Sequence, residues 1–96
     1  MGQDLNIKTS LSVHELALIL SSNDNIINLC EIDSINYGIG YDFKVKDIEC
    51  RLYEESSDNE DSLIIEIDRF NKQTIIEQKK VYVLLDQLIF DLITNH

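Results

Sequence analysis

The 96-residue sequence predicts a single α+β domain with an N-terminal helix, a three-stranded antiparallel meander and a C-terminal helix packed on one sheet face. Three observations carry this expectation. LSVHEL at 11–16 has the spacing of a helix start, residues 37–52 and 63–67 alternate apolar and polar side chains as strands do, and VYVLLDQLIFDLIT at 81–94 repeats its apolar residues with helical spacing. A chain of this length builds one core and no second domain. Its 44% apolar and 27% charged residues are close to globular averages, which excludes wholesale disorder.

At the first helix, Ser12 is placed to cap the backbone at Glu15 while Glu15 reaches back to Ser12, and Leu11 is placed to staple onto Leu16. Val13, Leu16, Ala17 and Leu20 then share one face, and Ser21, Ser22, Asn23 and Asp24 favour a break. In 26–35, Ile26, Leu29 and Cys30 fit a helix whereas Cys30 and Ile32 fit a strand; the stretch is read as helix. Tyr37, Ile39, Tyr41, Phe43 and Val45 alternate in one register, and Ile48, Cys50 and Leu52 in the opposite one. Either a bulge or a tight turn shifts the phase at Lys46 and Asp47. The bulge within one long strand is preferred, because Lys-Asp lacks the glycine usual in two-residue hairpins.

SLIIEIDRF forms the next strand, with Leu63, Ile65 and Ile67 on one face, so the acidic stretch 54–62 connects a hairpin. Residues 74–95 read either as one helix opened by a Thr74/Glu77 capping box or as a strand followed by a helix. A single helix puts Glu77 and Gln78 on the apolar side and Ile76 on the polar side at roughly 100° per residue. TIIEQKK is therefore read as a lysine-bearing edge strand after an FNKQ turn, with the helix running from Val81 to Thr94.

The net charge of -10 is uneven: -4 over 1–40, 0 over 41–53, -5 over 54–62, +1 over 63–80 and -2 over 81–96. Phosphates repel such a chain, which disfavours direct nucleic-acid or anionic-membrane binding and favours basic protein partners. The N-terminal residues lack a basic segment with an apolar run, Asn6 stands where a myristoylation pattern wants Ser or Thr, and no apolar run approaches the roughly 20 residues of a spanning helix. A cytoplasmic protein is expected, with Cys30 and Cys50 as two small buried apolar side chains rather than a disulfide.

The residues supply little chemistry. Only His14 and His96 are available as imidazole bases, so nucleophilic catalysis has no local constellation, and a His14/Cys30 pair has nothing nearby to orient it. SSDNEDS lacks the spacing and glycine of a calcium loop, the histidines and cysteines lack zinc-finger spacing, and GIG lacks the third glycine of a dinucleotide fingerprint. The expectation is a non-enzymatic protein with no cofactor and no metal.

Interaction residues are expected instead. Glu54, Glu55, Asp58, Glu60 and Asp61 at a hairpin tip would offer carboxylates to a Lys/Arg-lined groove in place of nucleic-acid phosphates; the plainer reading is a solvated connection. On the last helix, Val83 and Phe90 fall in one arc with Asp86, Gln87, Asp91 and Thr94, an acid-rimmed apolar strip for a partner or a twofold mate. In size and charge alone the chain resembles small phage and mobile-element inhibitors, anti-CRISPR proteins among them, and toxin-immunity proteins. That resemblance implies an inhibitor that binds and blocks a basic nucleic-acid-handling protein, such as a nuclease or toxin. The alternative is a structural adaptor, homodimeric through its C-terminal helix.

Overall fold

A computed structural model describes residues 3–34, 38–54 and 62–94. The elements are β1 (Gln3–Lys8), α1 (Val13–Ser21), β2 (Ile27–Ser34), β3 (Gly38–Val45), β4 (Ile48–Glu54), β5 (Ser62–Ile67) and α2 (Ile75–Thr94). The strands make one antiparallel sheet in the order β1-β5-β4-β3-β2. Strands β2 to β5 are consecutive neighbours, while β1 lies beyond β5, so the connection through α1 carries the chain from one sheet edge to the other.

Register decides which face is apolar, because residues directly opposite each other share a face. Leu5 opposes Ile65, which opposes Leu52, which opposes Tyr41; beside that row, Ile67, Cys50 and Phe43 are aligned in the same way. These side chains, Val13, Leu16, Ala17 and Leu20 of α1, and Val81, Leu85 and Ile89 of α2 form one apolar cluster in which Tyr41 is only partly buried. Both helices therefore cover the same face. Burying each of the larger aliphatic side chains contributes about 1.5–3 kcal/mol. The opposite face, carrying Cys30, Asp42, Lys44, Arg51 and Glu66, has no helix over it.

The expected three-stranded meander with a leading helix is corrected to five strands, with β1 preceding the first helix. Only Leu5 and Ile7 of β1 point to the core, too short an alternation to register in the sequence. The helical reading of 26–35 is likewise corrected to β2. That strand carries an irregularity between Ile27 and Cys30, with Asn28 at φ 56°, and the slip breaks the period of two that marks a strand.

The expected bulge at Lys46 and Asp47 is a turn. Val45 pairs with Ile48, and the two residues between them stand at φ 51° and 68°, the left-handed pair of a type I′ hairpin made without glycine. In GIG, Gly40 serves close approach: a Cβ there would lie 2.5 Å from the Leu52 carbonyl oxygen.

The expected edge strand over 74–80 is the start of α2. Glu77 N–H donates to Thr74 Oγ1 at 3.2 Å, and Thr74 N–H donates to the Glu77 carboxylate at 3.2 Å, a capping box that opens the helix. Tertiary structure absorbs the two misfits that favoured a strand. Ile76 is left 68% exposed, and Gln78 is buried but donates from Nε2 to Asp68 at 2.6 Å. Asp68 itself is 2% exposed and left-handed at φ 58°; its carboxylate also accepts the backbone N–H groups of Lys72 at 3.1 Å and Gln73 at 3.0 Å. Burial raises its pKa, but the two amides and Gln78 outweigh that and hold the group below the ordinary carboxylate value.

The expectation of two buried cysteines holds for Cys50 alone, since Cys30 is exposed on β2. Desolvation pushes the Cys50 thiol up to about 12, so it stays protonated as a core side chain.

Candidate functional site

The two sheet ends differ in charge. The β3–β4 turn, the segment after β5 and the first turns of α2 share one end, where Lys44, Lys46, Arg69, Lys72, Lys79 and Lys80 are mixed with Asp47, Glu49, Asp68 and Glu77. At the other end β4 finishes at Glu54, β5 begins at Ser62 and α1 begins after β1, which brings Glu15, Glu31, Asp33 and Glu54 to that side. All four are exposed. The anchors of the acidic stretch thus stand at the end remote from most of the lysines, whereas Glu55, Asp58, Glu60 and Asp61 lie outside the described residues.

The α2 strip is exposed. Val83 is 63% and Phe90 65% exposed, with Asp86, Gln87, Asp91 and Thr94 exposed beside them, while Val81, Leu85 and Ile89 occupy the core side. Ile76, which the strand reading had removed from this helix, extends the line by another seven residues. Phe90 and Asp86 also border a shallow groove against β1, lined by Leu5, Ile7 and Ile89. Tyr37 lies outside the described residues, and Tyr41 and Tyr53 are half-buried.

His14, Tyr41 and Glu31 make a cluster that sequence reading missed. His14 Nδ1 lies 2.7 Å from the Tyr41 hydroxyl, which donates to Glu31 Oε1 at 3.3 Å, and the two rings meet edge to face with centroids 5.7 Å apart. Partial desolvation first, then the charge and hydrogen bond of Glu31, raise the Tyr41 pKa, so the phenol remains a donor at neutral pH. The signal lay in the strand pairing: Glu31 opposes Tyr41 across β2 and β3. Cys30 opposes Asp42 on the other face, so His14 and Cys30 are not brought together as a base and nucleophile.

On the face without helices, Asp42 accepts from Arg51 Nε at 2.8 Å and from Arg51 Nη2 at 3.2 Å. It also accepts from Arg69 Nη1 at 2.7 Å. This is a fork-like pairing that ties β3, β4 and the segment after β5 together. Arg69 further stacks over Phe70 at 4.6 Å. Two guanidiniums thus share one carboxylate, which holds the three segments in register. Among the described residues no group of three His, Cys, Asp or Glu side chains is placed to hold a metal, and no helix is long and apolar enough to cross a membrane. Compared with family models, curated proteins and solved structures, the chain matches none.

Proposed function

We propose that this chain is a non-enzymatic, cytoplasmic inhibitor that binds a basic nucleic-acid-handling protein and blocks it with its acidic end. The observation that supports this is a gathering of exposed carboxylates: Glu15, Glu31, Asp33 and Glu54 stand at the end from which the carboxylate-rich 54–62 stretch departs. Such a surface offers a Lys/Arg-lined groove what a phosphate backbone offers it, and speeds encounter at low salt. Charge alone gives little affinity, so half-buried Tyr53, next to Glu54, and Tyr41, beside Glu31, are the aromatics at this end for an apolar anchor. No cofactor takes part.

The test starts from tagged protein in its native host, with bound proteins identified at low and moderate salt. The recovered partner's nucleic-acid binding or cleavage is then assayed with the chain added. Wild type should abolish it in competition with nucleic acid, and replacing Glu54, Glu55, Asp58, Glu60 and Asp61 by Gln should relieve the block while leaving the circular dichroism spectrum unchanged. Partners without a basic surface, or equal inhibition by the neutralised variant, would remove the proposal. A second reading, an adaptor that self-associates through its C-terminal helix, is favoured by the exposed line Ile76, Val83 and Phe90.

A further inference from the structure

The exposed side of α2 carries a pattern that fits a second copy of the same chain. Ile76, Val83 and Phe90 follow one another at intervals of seven, so they fall on nearly one line along the helix, and they are 68%, 63% and 65% exposed. The line extends over 14 residues, about 21 Å at the rise of an α-helix. Its charges are segregated about the middle residue: Lys79 precedes Val83 and Asp86 follows it, both exposed and both on the same flank of the line.

A segregated pattern is self-complementary only when the helix meets its own copy in reverse. We infer that the protein forms a twofold dimer in which α2 packs antiparallel on α2 of the partner, centred on Val83. In that register Val83 meets Val83 of the partner subunit, Ile76 of each copy meets Phe90 of the other, and Lys79 of each copy faces Asp86 of the other. The twofold axis keeps each flank on its own side, so the Lys79 and Asp86 pairing occurs twice. A parallel twofold exchanges the flanks, so Lys79 would instead meet Lys80 of the other copy and Asp86 would meet Gln87, with no opposite-charge pair formed.

The groove beside Phe90, where Leu5, Ile7 and Ile89 meet Asn6, Lys8 and Thr94, lies next to the position of the incoming Ile76. One helix face of this length is a small interface, so the dimer is reversible rather than obligate. Each copy carries a net charge of -10, and the long-range repulsion between copies is screened by salt. Dimerisation therefore strengthens as salt is added, opposite in sign to the binding of a basic protein.

Sedimentation equilibrium of the full chain from low to high micromolar concentration tests the dimer without any outside partner. Wild type should show a monomer–dimer equilibrium that shifts toward dimer between 20 mM and 300 mM salt, values chosen to span strong and weak screening. K79D and D86K, each creating two like-charge contacts, should each weaken dimerisation about tenfold, and the double variant K79D/D86K should restore it. Register is read by cross-linking in a Cys30→Ser background under a mild oxidant: V83C should link to itself, and I76C should link to F90C in a mixture but not to itself. Each variant is checked by circular dichroism. A chain monomeric throughout the concentration range overturns the inference, as does self-linking of I76C or a double swap that fails to rescue.

Discussion

Asp68 is the residue whose loss the fold should tolerate least outside the apolar core. Replacing it by Ala removes the acceptor of three hydrogen bonds: from the N–H groups of Lys72 and Gln73, and from Gln78 Nε2. Lys72 is exposed and its amide recovers water, but Gln78 is only 3% exposed; its Nε2 keeps the Gln73 carbonyl oxygen at 3.2 Å and loses its other acceptor, so one buried N–H is left unpaired at a cost of about 1–2 kcal/mol. Ala is also less suited than Asp to φ 58°, which adds roughly 1 kcal/mol. With the Gln73 contact partly lost, D68A should cost about 2–4 kcal/mol, a large share of the roughly 5–15 kcal/mol that holds a domain of this size.

D68N separates charge from geometry. The introduced amide keeps one acceptor oxygen and tolerates the left-handed conformation, while Gln78 Nε2 keeps its bond to the Gln73 carbonyl oxygen. Its cost should be about 1–2 kcal/mol. Urea unfolding followed by circular dichroism at neutral pH measures both, with an unchanged slope as the condition for comparison. Were D68A within about 1 kcal/mol of wild type, the view that this carboxylate organises the entry to α2 would be refuted.

Acid should act through the same group. The folded-state pKa of Asp68 is lowered, so its contribution is present above the ordinary carboxylate pKa and is lost as pH falls through the lowered value; D68N should flatten this acid limb in a stability–pH series. Cys50 behaves oppositely: its thiol is raised from 9.0 to about 12, so stability should fall as pH rises from 9.0 through that value, and C50A should remove this alkaline slope. A thiol reagent at neutral pH should label one cysteine per native chain, the exposed Cys30, and a second only after denaturation; rapid labelling of Cys50 in the native state would contradict its burial. Asp47→Gly should raise stability by roughly 0.5–1 kcal/mol, because it relieves a left-handed residue in the β3–β4 turn; destabilisation in the same urea assay would count against the turn.

What could be read from the sequence was whatever a short local pattern encodes. Ser12 and Glu15 form the capping box that their spacing suggests, with Glu15 N–H donating to Ser12 Oγ at 3.1 Å and Ser12 N–H donating to Glu15 at 3.2 Å. The inward sets Val13, Leu16, Ala17, Leu20 and Leu63, Ile65, Ile67 are all buried. Patterns decided by distant contacts misled. Gln78 looks wrong for a helix until Asp68, ten residues earlier, satisfies it; Lys46-Asp47 looks wrong for a turn until the strands on either side pay its backbone cost. In β2 the irregularity at Asn28 erased the alternation, and with it the pairing that places Glu31 beside Tyr41 and His14. For the candidate surface, Val83, Asp86, Phe90 and Asp91 were visible from helical spacing, but Ile76 became part of it only once 75–80 was helix.

The one-sided sheet also decides how the two proposed interactions coexist. Because α2 spends its inner side on the core, its outer line and the acidic end are separate surfaces. An antiparallel α2 pair turns one copy end for end relative to the other, so the β3–β4 turn end of each copy, where the lysines are mixed with acids, lies toward the acidic end of its mate. The Glu54 ends then point away from each other at opposite poles, and the dimer is bivalent toward a basic partner. If that partner is itself a twofold oligomer, occupancy of both poles raises avidity without any new contact. Salt separates the contributions: it screens repulsion between two chains of charge -10 and so favours the dimer, while it weakens attraction between the acidic pole and a basic groove. Binding of a basic partner should therefore pass through a maximum as salt rises if bivalency matters, and fall monotonically if each copy acts alone.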